Sequence, residues 1–152
     1  MRIREVFTVP LPLGKVFSVL QSFIESRDTT YILAPKYVIM WSEGMITERD
    51  PLSENILVVA ELEELSSDLT KVCIEITWDF TIFEERAKRD LQLGVFTASY
   101  LAEVLREKRL WLLNSTSSLY SELLKIRLLN YLNTVKNFVY SQVQREQLCR
   151  TQ

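Results

Sequence analysis

The side chains able to do chemistry are few, and what is missing narrows the options first. The 152-residue chain contains no histidine, which removes imidazole acid–base catalysis, Ser–His and Cys–His nucleophile pairs, and most zinc and haem ligation. Paired carboxylates are the machinery that remains. Glu61 with Glu63, and Glu75 with Asp79, lie in segments of period two, so each pair shares one face of a strand. Such pairs could serve general acid–base catalysis or an oxygen-ligated Mg²⁺ or Ca²⁺ site. In both segments the apolar residues take the alternate positions, so the carboxylates point away from the apolar side, and a solvated strand surface explains them better. Gly14, Gly44 and Gly94 are isolated, leaving no glycine-rich cradle for a nucleotide phosphate. No metal and no cofactor are expected. Cys73 and Cys149 form no framework and are read as reduced and structural.

A second kind of chemistry is recognition of an apolar molecule. Ile74, Ile76, Trp78 and Phe80 share one strand face, while Leu128, Tyr131, Val135 and Phe138 recur at helical spacing. Large side chains on two opposed apolar faces can leave a gap lined by ring and aliphatic surface. Trp78 and Tyr131 each add one polar handle to orient a ligand or bond to backbone. The competing reading of the same residues is a filled core.

Those faces require elements to carry them. Residues 2–9 alternate and read as a strand, ended by Pro10 and Pro12. Leu13, Val16, Phe17, Leu20, Phe23 and Ile24 then follow the steps of an amphipathic helix. Asp28-Thr29-Thr30 caps a short second helical turn that Pro35 stops. Three strands are expected next, over 37–48 with a bend at Gly44, over 55–65, and over 69–83, joined by short turns that make them antiparallel. From Ser118 to Leu148 there is no Gly or Pro, and Leu124, Leu128, Tyr131, Leu132, Val135, Phe138 and Val139 fall within an arc of about 140°. A helix of that length spans roughly 45 Å at about 1.5 Å per residue, enough to cross a sheet. Residues 84–113 are ambiguous, with a helix from Phe96 to Leu113 the preferred reading.

Length and composition fit one domain over residues 1–152, with 47% hydrophobic residues and few Gly, Pro or Cys. The net charge of −2 hides a balance of −6 over residues 1–83 and +4 over 84–152. The basic residues of the second half are interspersed with acids, as in Glu84–Asp90, so nucleic-acid binding is not expected. No apolar run reaches membrane-span length and the N-terminus lacks signal-peptide features, which makes the expected setting soluble and cytoplasmic.

Strand, helix after a proline corner, antiparallel strands and one long C-terminal helix is the order of an α+β helix-grip fold. The stretch Val6-Phe7-Thr8-Val9-Pro10-Leu11-Pro12-Leu13-Gly14-Lys15-Val16-Phe17 resembles the opening of the START/polyketide-cyclase superfamily, where the first strand runs through a proline pair into the first helix. The whole chain is most similar to a small START-like family of thermoacidophilic archaea. The sequence departs in strand number, with four strands evident where the superfamily usually has six or seven. The resemblance implies a curved sheet gripping the C-terminal helix around a cavity for sterols, lipids, polyketides or other apolar molecules. It carries over no catalytic residues, because the superfamily has no universal catalytic signature.

The functional expectation is non-enzymatic binding, carriage or sensing of a small hydrophobic ligand, lipid- or isoprenoid-like, between sheet and helix. A small cyclase or hydrolase using the same cavity is one alternative; nothing in the sequence argues positively for catalysis, and it would need an ionisable side chain inside that cavity. The other is a dimeric assembly module with a filled core. Leu124, Leu128, Tyr131, Val135 and Phe138 step by four and three as a coiled-coil seam also does, which keeps a homodimer open.

Overall fold

The structure is a computed structural model that describes residues 1–27, 29, 31–43, 56–78, 91–94, 97–100, 102–103, 106 and 118–151. Its elements are β1 (Arg2–Val9), α1 (Leu13–Ser26), β2 (Tyr31–Ala34), β3 (Val38–Glu43), β4 (Ile56–Ser66), β5 (Leu69–Trp78) and α2 (Ser118–Thr151). The strands form one antiparallel sheet in the order β1-β5-β4-β3-β2. Helices α1 and α2 lie on the same face, which makes this an α+β helix-grip arrangement.

Alternation decides which residues meet the helices. Successive strand side chains point to opposite faces, and the register aligns the inward ones into rows. Trp41, Val58, Ile76 and Ile3 form one row, and Ile39, Ala60, Ile74 and Glu5 the next. Apart from Ile3 and Glu5 on the β1 edge, all are buried. Val16, Leu20, Phe23 and Ile24 of α1 complete this core with Leu124, Leu128, Tyr131, Leu132, Val135, Val139 and Val143 of α2. The apolar arc of α2 is therefore used within the chain. It is not a seam for a second helix, because pairing would require four buried residues of that stripe (Leu124, Leu128, Tyr131 and Val135) to leave the sheet.

Polar ties fix the edges of this layer. The proline corner is held by the buried Thr70 hydroxyl, which donates to the Leu11 carbonyl at 2.8 Å. Pro12 starts α1 with its carbonyl, which accepts from the N–H groups of Lys15 and Val16. The inward Glu5 of the edge strand β1 is paired with Lys136 of α2 at 2.6 Å, and the same ammonium lies 5.3 Å over the Phe7 ring.

Two expectations need correction. The short helical turn before Pro35 is instead the edge strand β2, paired to β3 from Tyr31↔Trp41 to Ala34↔Val38. Pro35 ends no helix there; it opens a three-residue turn in which Lys36 (φ 65°) and Tyr37 (φ 60°) both adopt the left-handed conformation. Strand β3 consequently begins at Val38 rather than at residue 37. The Tyr37 carbonyl accepts from Leu62 N–H at 3.1 Å and its ring packs edge-on against Phe17, which holds this turn in place. The described sheet thus has five strands where four were expected. Gly44, residues 79–83 and most of 84–113 lie outside the described residues, although residues 91–92, 98–100, 102–103 and 106 are helical.

Candidate functional site

The inner face ends in a row that is not wholly apolar. Glu43, Ile56 and Trp78 stand side by side in register. Beyond Trp78 the N-terminal ammonium donates to its carbonyl at 2.8 Å, while the Trp78 N–H donates back to the Met1 carbonyl at 2.9 Å. Glu43 follows Ile39 and Trp41 at every second position of β3, so alternation turns its side chain inward. Its side chain is only 7% exposed.

Four side chains meet at this point. Arg27, the residue capping the C-terminal end of α1, directs its Nε to Glu43 Oε1. The indole Nε1 of Trp41 donates to the Tyr131 hydroxyl at 2.8 Å. The guanidinium carbon of Arg27 lies 5.4 Å from the Tyr131 ring centroid and 5.5 Å from that of Phe23. Phe23 in turn packs edge-on against Trp41 and Tyr131, and tilted against Phe138 with centroids 5.3 Å apart. Two aromatic faces thus flank the cation, and the buried carboxylate has its charge met at one oxygen. Its other oxygen, Oε2, is buried with no hydrogen-bond partner among the described residues. Burial above all, and then the negative charge of Glu43, hold the Tyr131 phenol well above its ordinary value. Tyr131 is therefore a neutral hydrogen-bonding group.

Of the residues expected to line a ligand site, Tyr131 belongs to this quartet and the other described ones fall into the layer next to it. Ile74, Ile76, Trp78, Leu128, Tyr131 and Val135 are buried in one contiguous cluster, with Phe138 packed against it. Phe80 lies outside the described residues. Sequence reading missed Phe23 as a site residue, and missed Arg27, Trp41 and Glu43 altogether. The signal for Glu43 was present in its parity with Ile39 and Trp41. The signal for Arg27 was absent, since its role arises only when the end of α1 docks on β3.

The carboxylates singled out for catalysis stay on the outer face. Glu75 pairs with Arg2 and Glu63 with Lys71, both at 3.5 Å, and Asp79 lies outside the described residues. Cys73 shares that face, where Arg4 Nε lies 3.1 Å from its sulfur. The outer face carries a cavity of about 300 Å³ lined in part by Arg4, Lys36, Val38 and Cys73, and a groove of about 570 Å³ between α1 and α2 is lined in part by Val19, Lys15 and Glu146. Among the described residues no three Cys, Asp or Glu side chains gather as metal ligands, and no helix is long and apolar enough to cross a membrane.

No family model matches the chain, and no curated protein matches it. Solved structures do resemble it. The ZhuI aromatase/cyclase of Streptomyces sp. R1128 is 12% identical with a TM-score of 0.40, over 72% of this chain and 93% of that one. The di-domain aromatase/cyclase BexL of the BE-7585A biosynthetic pathway is 10% identical with a TM-score of 0.42, over 75% of this chain and 48% of that one. A protein of Mesorhizobium loti is 13% identical with a TM-score of 0.42, over 77% of this chain and 99% of that one. At these scores the likeness carries no functional argument.

Proposed function

We propose that the chain is a START/polyketide-cyclase-type protein that binds, carries or senses a small hydrophobic ligand between its sheet and α2. The lining residues in this reading are Ile74, Ile76, Trp78, Phe80, Leu128, Tyr131, Val135 and Phe138. The supporting observation is the composition of the layer: an apolar and aromatic interior with one polar cluster, Arg27–Glu43 with Trp41–Tyr131, at its end. A small-molecule site combines apolar walls with a few placed polar groups in this way. A cytoplasmic setting and a narrower kinship with thermoacidophilic archaeal proteins belong to this proposal and rest on the sequence alone.

A space-filling substitution separates a binding site from a filled core. With space between Ile74, Ile76 and α2, Val135→Phe fills it: the variant keeps its fold and loses saturable uptake of an apolar fluorescent probe. With a filled core, the wild type takes up no probe and the same change strains the packing by about 1–3 kcal/mol. That second outcome overturns the proposal.

One observation favours an enzymatic reading beside it. A cyclase or hydrolase needs an ionisable group inside the site, and Glu43 is a buried carboxylate next to the neutral Tyr131 hydroxyl. Glu43 would accept a proton and Tyr131 would donate or hold one. Turnover of a bound ligand that Glu43→Gln abolishes while binding persists would establish it.

A further inference from the structure

We infer that the outer face of the sheet binds a small amino dicarboxylate, a molecule with two carboxylates and one ammonium, at a site separate from the layer between sheet and α2. Cys73, Glu61 and Val38 stand side by side there, in one row across β5, β4 and β3. The outer-face cavity of about 300 Å³ extends along this row, with Arg4 of β1 and Lys36 of the β2–β3 turn also lining it. A second hollow of about 100 Å³ shares Arg4, Glu61 and Cys73 with it. The larger volume lies at the small end of ligand pockets.

The charges around the row decide what fits. Glu63 is paired with Lys71, and Glu75 with Arg2. Arg4, Lys36 and Glu61 form no ion pair among the described residues, and Arg4 directs its Nε to the Cys73 sulfur at 3.1 Å. Glu61 stands on β4, between the strand of Arg4 and the turn of Lys36. Two cations with one carboxylate between them are the charge complement of an amino dicarboxylate. A plain dianion would face Glu61, and a plain cation would face Arg4 and Lys36. The backbone adds a second observation. Lys36 and Tyr37 are both left-handed, at φ 65° and 60°, in a turn conformation that favours Asn and Gly. The ring of Tyr37 against Phe17 and the Leu62 N–H on its carbonyl hold that residue. Lys36 has no hydrogen bond, ion pair or ring contact among the described residues, and what its strained position gains is an ammonium at the cavity.

NMR titration with L-glutamate, glutarate and L-glutamine tests this, at low salt where exposed charges are least screened. Glutarate lacks the ammonium of glutamate, and glutamine lacks one of its carboxylates. Saturable amide shifts at Cys73, Glu61 and Val38 are expected, with glutamate binding about fivefold tighter than either of the others. Glu61→Gln should abolish the advantage of glutamate over glutarate. Lys36→Asn should abolish its advantage over glutamine and raise the thermal midpoint, because asparagine tolerates the left-handed backbone. Equal affinity for all three compounds, or no shifts at these amides, overturns the inference. Tightest binding of glutarate overturns it too, leaving a site for plain dianions. An unchanged glutamate affinity in Lys36→Asn, or a midpoint that does not rise, overturns the role given to Lys36. The wild-type series decides the matter even where a variant fails to fold.

Discussion

The indole N–H of Trp41 on β3 donates to the hydroxyl of Tyr131 on α2 at 2.8 Å, joining two residues 90 positions apart in the chain. Both side chains are buried, so each satisfies a group that water cannot reach. Removing one partner leaves the other's polar atom desolvated, and that cost exceeds the net worth of the bond itself. Tyr131→Phe is expected to destabilise the fold by about 1–3 kcal/mol in chemical denaturation, with the denaturant slope unchanged. Trp41 fluorescence should shift at the same time, because the indole N–H loses the Tyr131 hydroxyl to which it donates.

The same tyrosine gives a pH signature. Its folded-state pKa lies above the ordinary value of 10.0, so the folded protein keeps a proton that the unfolded chain releases above that pH. The stabilisation is complete below pH 10.0 and is lost as pH rises further. Wild-type stability should fall by up to about 1.4 kcal/mol per pH unit from this group alone. Subtracting the profile of Tyr131→Phe, which lacks it, isolates that slope from the titration of lysines and other tyrosines.

Arg27 and Glu43 should behave as an unequal pair. Arg27→Ala strands a buried carboxylate and is expected to cost about 2 kcal/mol, tempered because the guanidinium side is 35% exposed and partly screened. The double change Arg27→Met with Glu43→Leu removes both charges and should recover most of that loss. Urea denaturation of the two variants checks this; a double variant weaker than Arg27→Ala would contradict it.

Thr70 offers a test of the proline corner. Thr70→Val keeps the shape but removes the hydroxyl that donates to the Leu11 carbonyl. A loss of about 1 kcal/mol is expected, together with faster amide exchange at Lys15 and Val16, whose N–H groups bond to the neighbouring Pro12 carbonyl.

How far the fold could be read in advance depended on the length of each pattern. Strand β5 repeats its alternation without a break from Thr70 to Trp78, and every inward residue there is buried. The α2 arc holds over several turns, from Leu124 to Val143. Strand β2 has four residues, its two central ones, Ile32 and Leu33, are both exposed at the sheet edge, and Pro35 follows closely. No period survives there to be read, and proline looked like a helix stop. The candidate site divides in the same way. Its apolar walls follow from periodicity, and Glu43 shares the parity of its β3 neighbours. Arg27 reaches Glu43 only because α1 ends beside β3, which no local pattern encodes.

The central claim is that an apolar molecule enters the layer between β5 and α2, and isotope-filtered NOEs test it most directly. With 1-octanol added to protein labelled at its methyl groups, the account predicts NOEs from the octyl chain to Ile74, Ile76 and Val135. NOEs confined to Val38 on the outer face, or to Val19 in the groove between α1 and α2, would place the ligand elsewhere and contradict it.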